Sequence, residues 1–464
     1  MARLRWPILG SALLLLAVST HWPVRHGFFQ TDDFTWLHLA HWRSVLEAFV
    51  GNQGSNLAYR PIFRLSTYID AVLFGRNAAA WHFENTVLHA ANALLLAALI
   101  RSWRLPFALA AGSALLFVLA PLSGESVNWI SGRGSLLCCS FTLLALWLWS
   151  AALIEGRRPW AALGWMALAI MSYEAAITLP PLLLCLTLFL CRDFAVDRRF
   201  AARQLAVAGA AFIGLWLIRS AFLGTLTGEV GAANSDYAGN FLHHVAALGD
   251  FTLLLGGVRS FVLLGAALAI ALVSRRLAAG ALALALAAAI LMLPYSSIIG
   301  IGGRYFYMLQ APLCLLALLP ALLVGRQLRT PLVALVLVLV GPHYAQSDWH
   351  EAFSFTRAGI STRALIAAVV RDIPKDDGQP NVIDGVPDFD QGQMMMGDFF
   401  EADIGDFYPG PAPWIARSEA VFRNQPVQRD ILSRPVHFWR YDSAAQRLLP
   451  LDRQDWIAAH PEAR

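Results

Sequence analysis

Two adjacent carboxylates, Asp32 and Asp33, follow the first apolar segment of the chain. Carboxylates this close together beside an apolar wall repel each other, and the repulsion raises the pKa of one member of such a pair towards the range of a general base. Thr31 or Asp32 could equally cap a helix over Phe34–Val50, because such side chains accept hydrogen bonds from the first N–H groups of a helix. The residue types alone leave a catalytic pair and a helix cap as alternatives.

Further charged groups lie at the ends of apolar segments. Glu125 and Arg133 flank a compact turn that contains glycine, and such a pair can hold a metal ion, bind an anionic lipid phosphate or form an interfacial salt bridge. Glu174 lies between two apolar segments with almost no loop, so it should face the helix bundle or water, since lipid tails cannot solvate a carboxylate. A helix cap or a salt bridge is the alternative to a catalytic role for Glu174.

Arg304 follows two glycines and precedes Tyr305 and Tyr307 at the start of another apolar segment. Glycine permits the close approach of a ligand, although an interfacial arginine can also simply extend towards lipid headgroups.

His82, Asn85 and His89 are spaced i, i+3, i+7, which places them on one face of a helix. Metal ligation is one use of such a face, but hydrogen bonding between helices is the commoner one. We therefore interpret the three residues as a structural polar face.

The segments that position these residues are strongly apolar. The 464 residues are 57% hydrophobic and 14% charged, with a mean hydropathy of +0.54, whereas soluble domains carry about a quarter charged residues. About eleven apolar segments approach the length that crosses a bilayer. They lie within 1–24 and near 80–100, 105–121, 134–153, 159–172, 175–191, 204–221, 250–273, 278–294, 305–324 and 330–345.

The distribution of arginine orients these predicted spans. With a cytoplasmic N-terminus every predicted inner loop is basic, from Arg101 and Arg104 in the first to Arg326 and Arg329 in the last. The composition, rich in alanine, leucine and arginine, suggests a bacterial chain in the inner membrane. An odd number of spans then places the C-terminal region in the periplasm.

We predict a mainly α fold with two domains. Residues 1–345 would form a polytopic transmembrane helix bundle whose first outside loop is 21–79. Residues 346–464 would form a small α/β extracytoplasmic domain, with a helix over Ser361–Asp372 and a strand over Asn381–Ile383. No P-loop, dinucleotide fingerprint, zinc-protease motif or nucleophile elbow occurs, which argues against an ATPase or a soluble-cofactor enzyme, and no nucleic-acid partner is expected.

Several short motifs in a fixed order carry a resemblance to a known family. They are Tyr59-Arg60-Pro61, Phe74-Gly75, His82-x-x-Asn85-x-x-x-His89, Glu125-Ser-Val-x-Trp129-Ile-Ser-Gly-Arg133, Tyr173-Glu174-Ala-Ala-Ile-Thr-Leu-Pro180 and Arg304-Tyr305-x-Tyr307. In order and spacing, across about residues 30–325, they resemble the tetratricopeptide-linked transmembrane O-mannosyltransferases and their bacterial relatives in the GT-C superfamily of integral-membrane glycosyltransferases.

This resemblance implies an enzyme that takes a hexosyl or pentosyl group from a polyprenyl-phosphate donor. It implies that Asp32 or Asp33 deprotonates the acceptor, and that the leaving phosphate is stabilised by Arg304 and by Arg60 and Arg133. Tyr305 and Tyr307 would bind donor or acceptor. Glu125 and Glu174 would position sugar hydroxyls or hold a divalent metal, Mg or Mn, since the superfamily contains both cases.

The chain also departs from that family. Tyr173 stands where the relatives often have lysine, Gly303 where they often have glutamate, and no tetratricopeptide repeats follow the spans. The acceptor is therefore left open as an envelope glycan, a lipid or a protein. A transporter or lipid flippase and an oligosaccharide polymerase or ligase are the alternative functions, although the charges gather at the outer rim and no repeated halves are visible.

Overall fold

The computed structural model describes residues 4–39, 46–50, 59–223, 258–274, 277–294, 303–373, 378–390, 393–395, 407, 414–418, 421, 433 and 435–460. Gly302 and the first part of the span predicted at 250–273 lie outside these residues. The described part is mainly helical, with a small sheet near the C-terminus. The predicted fold class is therefore confirmed.

The helices in chain order are α1 (Arg5–Thr20), α2 (Asp32–Leu39), α3 (Leu46–Val50), α4 (Pro61–Phe74), α5 (Ala78–Ser102), α6 (Phe107–Leu119), α7 (Gly124–Asn128), α8 (Arg133–Ile154), α9 (Trp160–Ile170), α10 (Leu179–Asp193), α11 (Arg198–Leu223), α12 (Val258–Val273), α13 (Ala278–Met292), α14 (Gln310–Leu318), α15 (Arg326–Asp372) and α16 (Arg453–Ala459). The strands are β1 (Asn381–Asp384), β2 (Phe389–Asp390), β3 (Gln393–Met394), β4 (Ile415–Arg417), β5 (His437–Asp442) and β6 (Arg447–Leu451).

Among the described residues, five helical segments are long and apolar enough to cross a membrane: α5, Ile130–Ile154, Glu174–Asp193, α11 and α15. A bent pair, α6 with Pro121–Asn128, makes a sixth if it is counted as one span. Five shorter apolar helices coincide with the remaining predicted segments: α1, α9, Leu263–Val273, α13 and Gln310–Leu322. The chain is thus a polytopic membrane protein, while the count of eleven spans stays a prediction.

The bundle buries its large apolar side chains and turns others outward. Leu13, Phe117 and Trp149 are fully buried in the core. Leu188 and Val338 are exposed, as apolar positions that face lipid rather than water would be, since lipid tails are as apolar as the side chains themselves.

A break after α6 shapes the segment that carries Glu125. Ala120 has an extended backbone, which is the conformation that a residue before proline prefers. The chain bends by 55° between Phe107–Leu119 and Pro121–Asn128. At Gly132 a Cβ atom would lie only 2.6 Å from the Ser126 carbonyl oxygen, so glycine is needed where the bent segment folds back before α8.

The C-terminal sheet has the strand order β4-β1-β5-β6. Strand β1 pairs in parallel with β4 and β5, and β5 pairs antiparallel to β6. The central strand β1 is buried along its whole length, as expected for a strand with parallel neighbours on both sides. Trp456 of α16 packs on Phe438, with ring centroids 4.6 Å apart, and both belong to the core of this sheet.

The chain divides into two compact units. The first unit comprises Met1–Trp22, Arg43–Ser66 and His82–Ala352, and the second unit comprises Pro23–Trp42, Thr67–Trp81 and Phe353–Arg464. This division differs from the predicted domains, because α15 runs without interruption through the predicted boundary at 345/346. It differs also because two pieces of the predicted first outside loop, 23–42 and 67–79, belong with the C-terminal region.

Candidate functional site

Arg60 and Glu174 form an ion pair in the first unit. Arg60 Nε lies 2.9 Å from Glu174 Oε2 and 3.2 Å from Oε1, and Nη2 lies 2.8 Å from Oε2. The Arg60 guanidinium also lies over the Tyr173 ring, 4.7 Å from its centroid. Burial opposes the charge on Arg60, but Glu174 and the neighbouring tyrosines outweigh burial and raise the pKa of Arg60. The two side chains keep 23% and 14% of their surface exposed, so the pair remains within reach of a ligand.

Arg304 and Glu125 form a second pair. Arg304 Nη1 donates to Glu125 Oε1 at 2.5 Å, and the backbone N–H of Arg304 donates to Oε2 at 2.9 Å. Arg304 Nη2 donates to the Tyr305 hydroxyl at 3.0 Å, and the guanidinium lies 4.7 Å from the ring centroids of both Trp129 and Tyr305. Burial disfavours the charge on Arg304, but Glu125 more than compensates and the pKa of Arg304 is raised.

Two tyrosines bring these ion pairs into one electrostatic neighbourhood. Burial raises the pKa of Tyr173, Tyr305 raises it further, and Arg60 and Arg304 act in the opposite direction. Tyr305 in turn helps to raise the pKa of both arginines. The structure therefore groups Arg60, Glu174, Glu125, Arg304 and Tyr305, which the sequence motifs singled out one by one.

Arg219, in the last part of α11, belongs to the same group, and the sequence interpretation missed it. Its Nη2 lies 3.5 Å from Glu174 Oε1, and the guanidinium lies 4.6 Å from the ring centroid of Trp216. The side chain is 2% exposed, and its Nε and Nη1 have no hydrogen-bond partner within the described part of the chain. An arginine inside an otherwise apolar span was the signal that could have identified it, because such residues mark functional sites by default.

Arg133 and Tyr307 make hydrogen bonds within the helix bundle. Both side chains are fully buried. Arg133 Nε donates to Asn85 Oδ1 at 2.8 Å, and the Tyr307 hydroxyl is 2.7 Å from His89 Nδ1 and 3.2 Å from Asn92 Nδ2. Both side chains are therefore engaged inside the bundle, and their predicted contact with a donor or acceptor stays a prediction.

The predicted polar face of α5 makes hydrogen bonds to other segments of the bundle. Besides accepting from Arg133, Asn85 donates through Nδ2 to the Trp129 carbonyl at 3.0 Å. His89 Nε2 lies 3.2 Å from the Val118 carbonyl. His82 is also buried. The contacts of Asn85 and His89 are of the kind that join helices, while the structural role of the face as a whole stays a prediction.

The carboxylates proposed as metal ligands are engaged by arginine. Both oxygens of Glu125 accept hydrogen bonds from Arg304, and both oxygens of Glu174 contact Arg60 or Arg219. Among the described residues no group of three or more histidine, cysteine, aspartate or glutamate side chains could hold a metal ion. Magnesium and manganese bind carboxylate oxygens directly, together with waters or other oxygen ligands. Here arginine engages those oxygens, so the carboxylates as arranged do not fit the metal.

Asp32 and Asp33 belong to the second unit, in the first turn of α2. A negative charge there is favoured by the partial positive charge at a helix N-terminus. Asp33 is 1% exposed, and its Oδ2 accepts from the Gln30 N–H at 3.0 Å. Asp32 is only partly buried. Asp33 therefore makes the hydrogen bond at the start of α2, whereas the helix-cap alternative had named Thr31 or Asp32, and Asp32 is the more accessible carboxylate.

No family model matches the chain. Protein O-mannosyl-transferase TMTC1 of Homo sapiens is 30% identical over 139 residues, which cover 29% of this chain and 14% of that protein. The match thus spans about a seventh of the relative's length.

Two solved structures from Archaeoglobus fulgidus align with most of the chain. The archaeal oligosaccharyltransferase AglB, in complex with an inhibitory peptide and a dolichol-phosphate, has a TM-score of 0.57 at 13% identity, over 94% of this chain and 69% of that one. The oligosaccharyltransferase tethered with an acceptor peptide has a TM-score of 0.52 at 12% identity, over 82% of this chain and 61% of that one.

The chain therefore shares the fold of these archaeal oligosaccharyltransferases, which agrees with the resemblance drawn from the ordered motifs. The particular relatives it is similar to are the archaeal oligosaccharyltransferase AglB in structure and the O-mannosyl-transferase TMTC1 in part of its sequence.

Proposed function

We propose that this chain is an inverting glycosyltransferase of the bacterial inner membrane. It would move a hexosyl or pentosyl group from a polyprenyl-phosphate donor to a glycan, lipid or protein acceptor on the outer face. The observation that carries the proposal is the group formed by Arg60, Arg219 and Glu174, in which two guanidinium groups share one carboxylate. Among the described residues one positive charge of this group has no partner of opposite sign, and the Arg60 and Glu174 side chains remain partly exposed.

A lipid phosphate is the anion that this charge suits. When the sugar leaves its donor, negative charge develops on the phosphate, and fixed guanidinium groups in a place with little water stabilise that charge strongly. Arg219 Nε and Nη1, buried and without a partner in the described part of the chain, can each donate to a phosphate oxygen. Arg304 would add a second cation, held in orientation by Glu125.

Asp32 is the residue we propose as the general base. In a single displacement, an acceptor hydroxyl oxygen forms a bond to the sugar C1 while the bond from C1 to the phosphate oxygen breaks. The phosphate leaves with the electron pair, and the hydroxyl proton passes to the carboxylate of Asp32. Asp32 is favoured over Asp33 because it is partly exposed, whereas Asp33 is buried and accepts a backbone hydrogen bond that closes the turn.

The relatives support the general kind of substrate. The AglB structure contains a dolichol-phosphate and an inhibitory peptide, and the other oligosaccharyltransferase structure contains an acceptor peptide; this favours a lipid-linked donor for this chain as well. TMTC1 is named for transfer of mannose to oxygen, which agrees with a hydroxyl acceptor.

A transporter or lipid flippase is the second candidate, since an uncompensated positive charge could also bind a lipid phosphate during its passage. An oligosaccharide polymerase or ligase would use the same leaving group with a larger donor. Direct assay of transfer separates the three functions, because a transporter forms no glycosidic bond and a polymerase elongates its product.

The test uses membranes that contain wild type, Asp32→Asn, Asp33→Asn or Asp455→Asn, supplied with labelled undecaprenyl-phosphate sugars and a crude envelope acceptor. Asp455 is the matched control, because it is an exposed aspartate in the first turn of a short helix of the same unit. We expect Asp32→Asn to transfer sugar about 100-fold more slowly or worse, because the general base is lost. Asp455→Asn should match wild type. Undiminished transfer by Asp32→Asn would overturn the base assignment, and no transfer by wild type from any lipid-linked donor would favour the transporter.

A further inference from the structure

The segment that leads to Asp32 rests on the C-terminal part of α15, within the second unit. Gln30 Nε2 donates to the Phe355 carbonyl at 2.6 Å. One turn further along α15, a Cβ atom at Gly359 would lie 2.5 Å from the Phe28 nitrogen and 3.2 Å from the Phe28 carbonyl oxygen. Glycine at position 359 therefore lets the backbone before Asp32 pack directly on the helix.

A second contact comes from the residue that follows the β2–β3 hairpin. The Met395 carbonyl accepts from the Thr31 N–H at 3.1 Å and lies 3.2 Å from the Thr362 hydroxyl, which is also 2.9 Å from the Ala358 carbonyl. Thr31 has a φ of 46°, a conformation that is uncommon for a β-branched residue and persists only where surrounding contacts impose it.

The turn itself is closed by two reciprocal hydrogen bonds. The Gln30 N–H donates to Asp33 Oδ2 at 3.0 Å, and the Asp33 N–H donates to the Gln30 carbonyl at 2.9 Å. Asp32 thus lies between Thr31, which is bonded to the Met395 carbonyl, and Asp33, which is bonded back to Gln30. Its backbone direction is set by groups on both sides.

We propose that the C-terminal region positions the general base: Gly359, Thr362 and the Met395 carbonyl hold the turn at Thr31 so that the Asp32 carboxylate points to its working position. This inference rests on the proposed function for the role of Asp32. The C-terminal region would then act by positioning a catalytic group, because its contacts are made to the turn at residues 30–33, which we call the acidic turn.

The first test compares the same substitution at two glycines of α15 in the full-length protein. Gly359→Ala puts a methyl group against the Phe28 backbone, whereas Gly341→Ala meets only the end of the Leu119 side chain at 3.4 Å. A shift of about 1 Å in a catalytic group can cost about 100-fold in rate. We expect kcat to fall by about that factor in Gly359→Ala with the donor KM within about twofold, and Gly341→Ala to resemble wild type.

A second pair of variants removes only a hydroxyl group. Thr362→Val should lower kcat by about tenfold, and Thr362→Ser, which restores the hydroxyl, should recover most of it. Ser361→Ala is the control, because the Ser361 hydroxyl donates to the Asp390 carboxylate of the hairpin and not to the carbonyl that holds Thr31. An equal loss of kcat in Ser361→Ala and Thr362→Val, or no rescue by serine, would contradict positioning.

Hydrogen exchange separates this proposal from the proposed function. In Gly359→Ala and Thr362→Val we expect faster amide exchange in peptides that cover 28–34, and unchanged exchange in α8. If exchange at 28–34 becomes faster in the variants while wild type transfers no sugar from any lipid-linked donor, the contacts to the acidic turn are supported and the proposed function fails. Unchanged exchange at 28–34, or an unchanged kcat in an active enzyme, would overturn the positioning role.

Discussion

At the residue scale, the chemistry depends on which carboxylate forms an ion pair with which guanidinium group. The sequence predicted the residue types at the outer rim, because charges are costly within a bilayer and stand out there. It could not predict the pairs, since Arg60 and Glu174 are 114 positions apart and Glu125 and Arg304 are 179 apart. Arg133 and Tyr307 show the same limit, because burial depends on the surrounding helices and not on the motif.

Glu174 should stabilise the fold as well as the site. In Glu174→Gln both Arg60 and Arg219 lose their shared carboxylate, and a hydrogen bond to a charged group contributes about 1.5–3 kcal/mol. We expect the free energy of unfolding to fall by about 2 kcal/mol, measured by thermal or denaturant unfolding in one detergent. Glu155→Gln is the control, because the exposed Glu155–Arg157 pair should contribute less than about 1 kcal/mol. Equal effects of the two substitutions would contradict a structural role for the shared carboxylate.

Replacing Arg219 should weaken the binding of the lipid-phosphate donor and leave the stability of the fold nearly unchanged. Two donors of the buried Arg219 guanidinium have no partner in the part of the chain that the structure describes. Removing this charge relieves an unfavourable burial that offsets the lost 3.5 Å contact with Glu174, so lipid-free Arg219→Gln should unfold within a few degrees of wild type. Its affinity for undecaprenyl phosphate, measured by native mass spectrometry, should fall about tenfold, the effect of about 1.4 kcal/mol.

The control for that experiment is Arg203→Gln, at the other end of α11, where the side chain is exposed. Phosphatidylglycerol in place of undecaprenyl phosphate shows whether the site prefers the donor lipid over the bulk bilayer. Equal lipid affinity in Arg219→Gln and Arg203→Gln would contradict a phosphate-binding role.

At the scale of elements, the apolar segments were the most predictable feature, since a helix is the simplest way to satisfy backbone hydrogen bonds in lipid. The break at Pro121 and the continuity of α15 were harder to predict from the sequence. Proline changes the direction of the chain by an amount that depends on packing, and α15 changes from apolar to polar sequence without leaving the helical conformation.

Gly132 should be essential to the bent segment. Gly132→Ala forces a methyl group against the Ser126 backbone, with the closest atom at 2.6 Å, and overpacking of this kind costs about 1–3 kcal/mol. We expect a lower unfolding temperature and slower transfer, because the same segment carries Glu125. Gly209→Ala in α11, where nothing lies within 4 Å of the added atom, should leave both unchanged. A wild-type melting curve for Gly132→Ala would contradict the close approach.

At the scale of the whole molecule, the structure joins regions that the sequence kept apart. The acidic turn and the C-terminal sheet region belong to one compact unit, although more than 300 residues separate them along the chain. Contacts between such distant segments leave no local pattern in a sequence, so the first outside loop and the C-terminal region were predicted as separate parts.

The predicted topology can be tested on the full chain with reporter fusions. Eleven spans with a cytoplasmic N-terminus place residue 464 in the periplasm and the loop that contains Arg157 and Arg158 in the cytoplasm. Alkaline phosphatase fused after residue 464 should be active, and the same enzyme fused at residue 157 should be inactive. The reverse pattern would contradict the orientation, and with it the outer-face location of the acidic turn.

The central claim is that the chain transfers a sugar from a lipid phosphate by one displacement. The most direct measurement is the anomeric configuration of the product, determined by NMR after transfer from an undecaprenyl-phosphate sugar of known configuration by the purified full-length protein. A single displacement predicts a product of inverted configuration, with undecaprenyl phosphate released in equal amount. A product of retained configuration, or lipid moved across the membrane without formation of a glycosidic bond, would contradict the account.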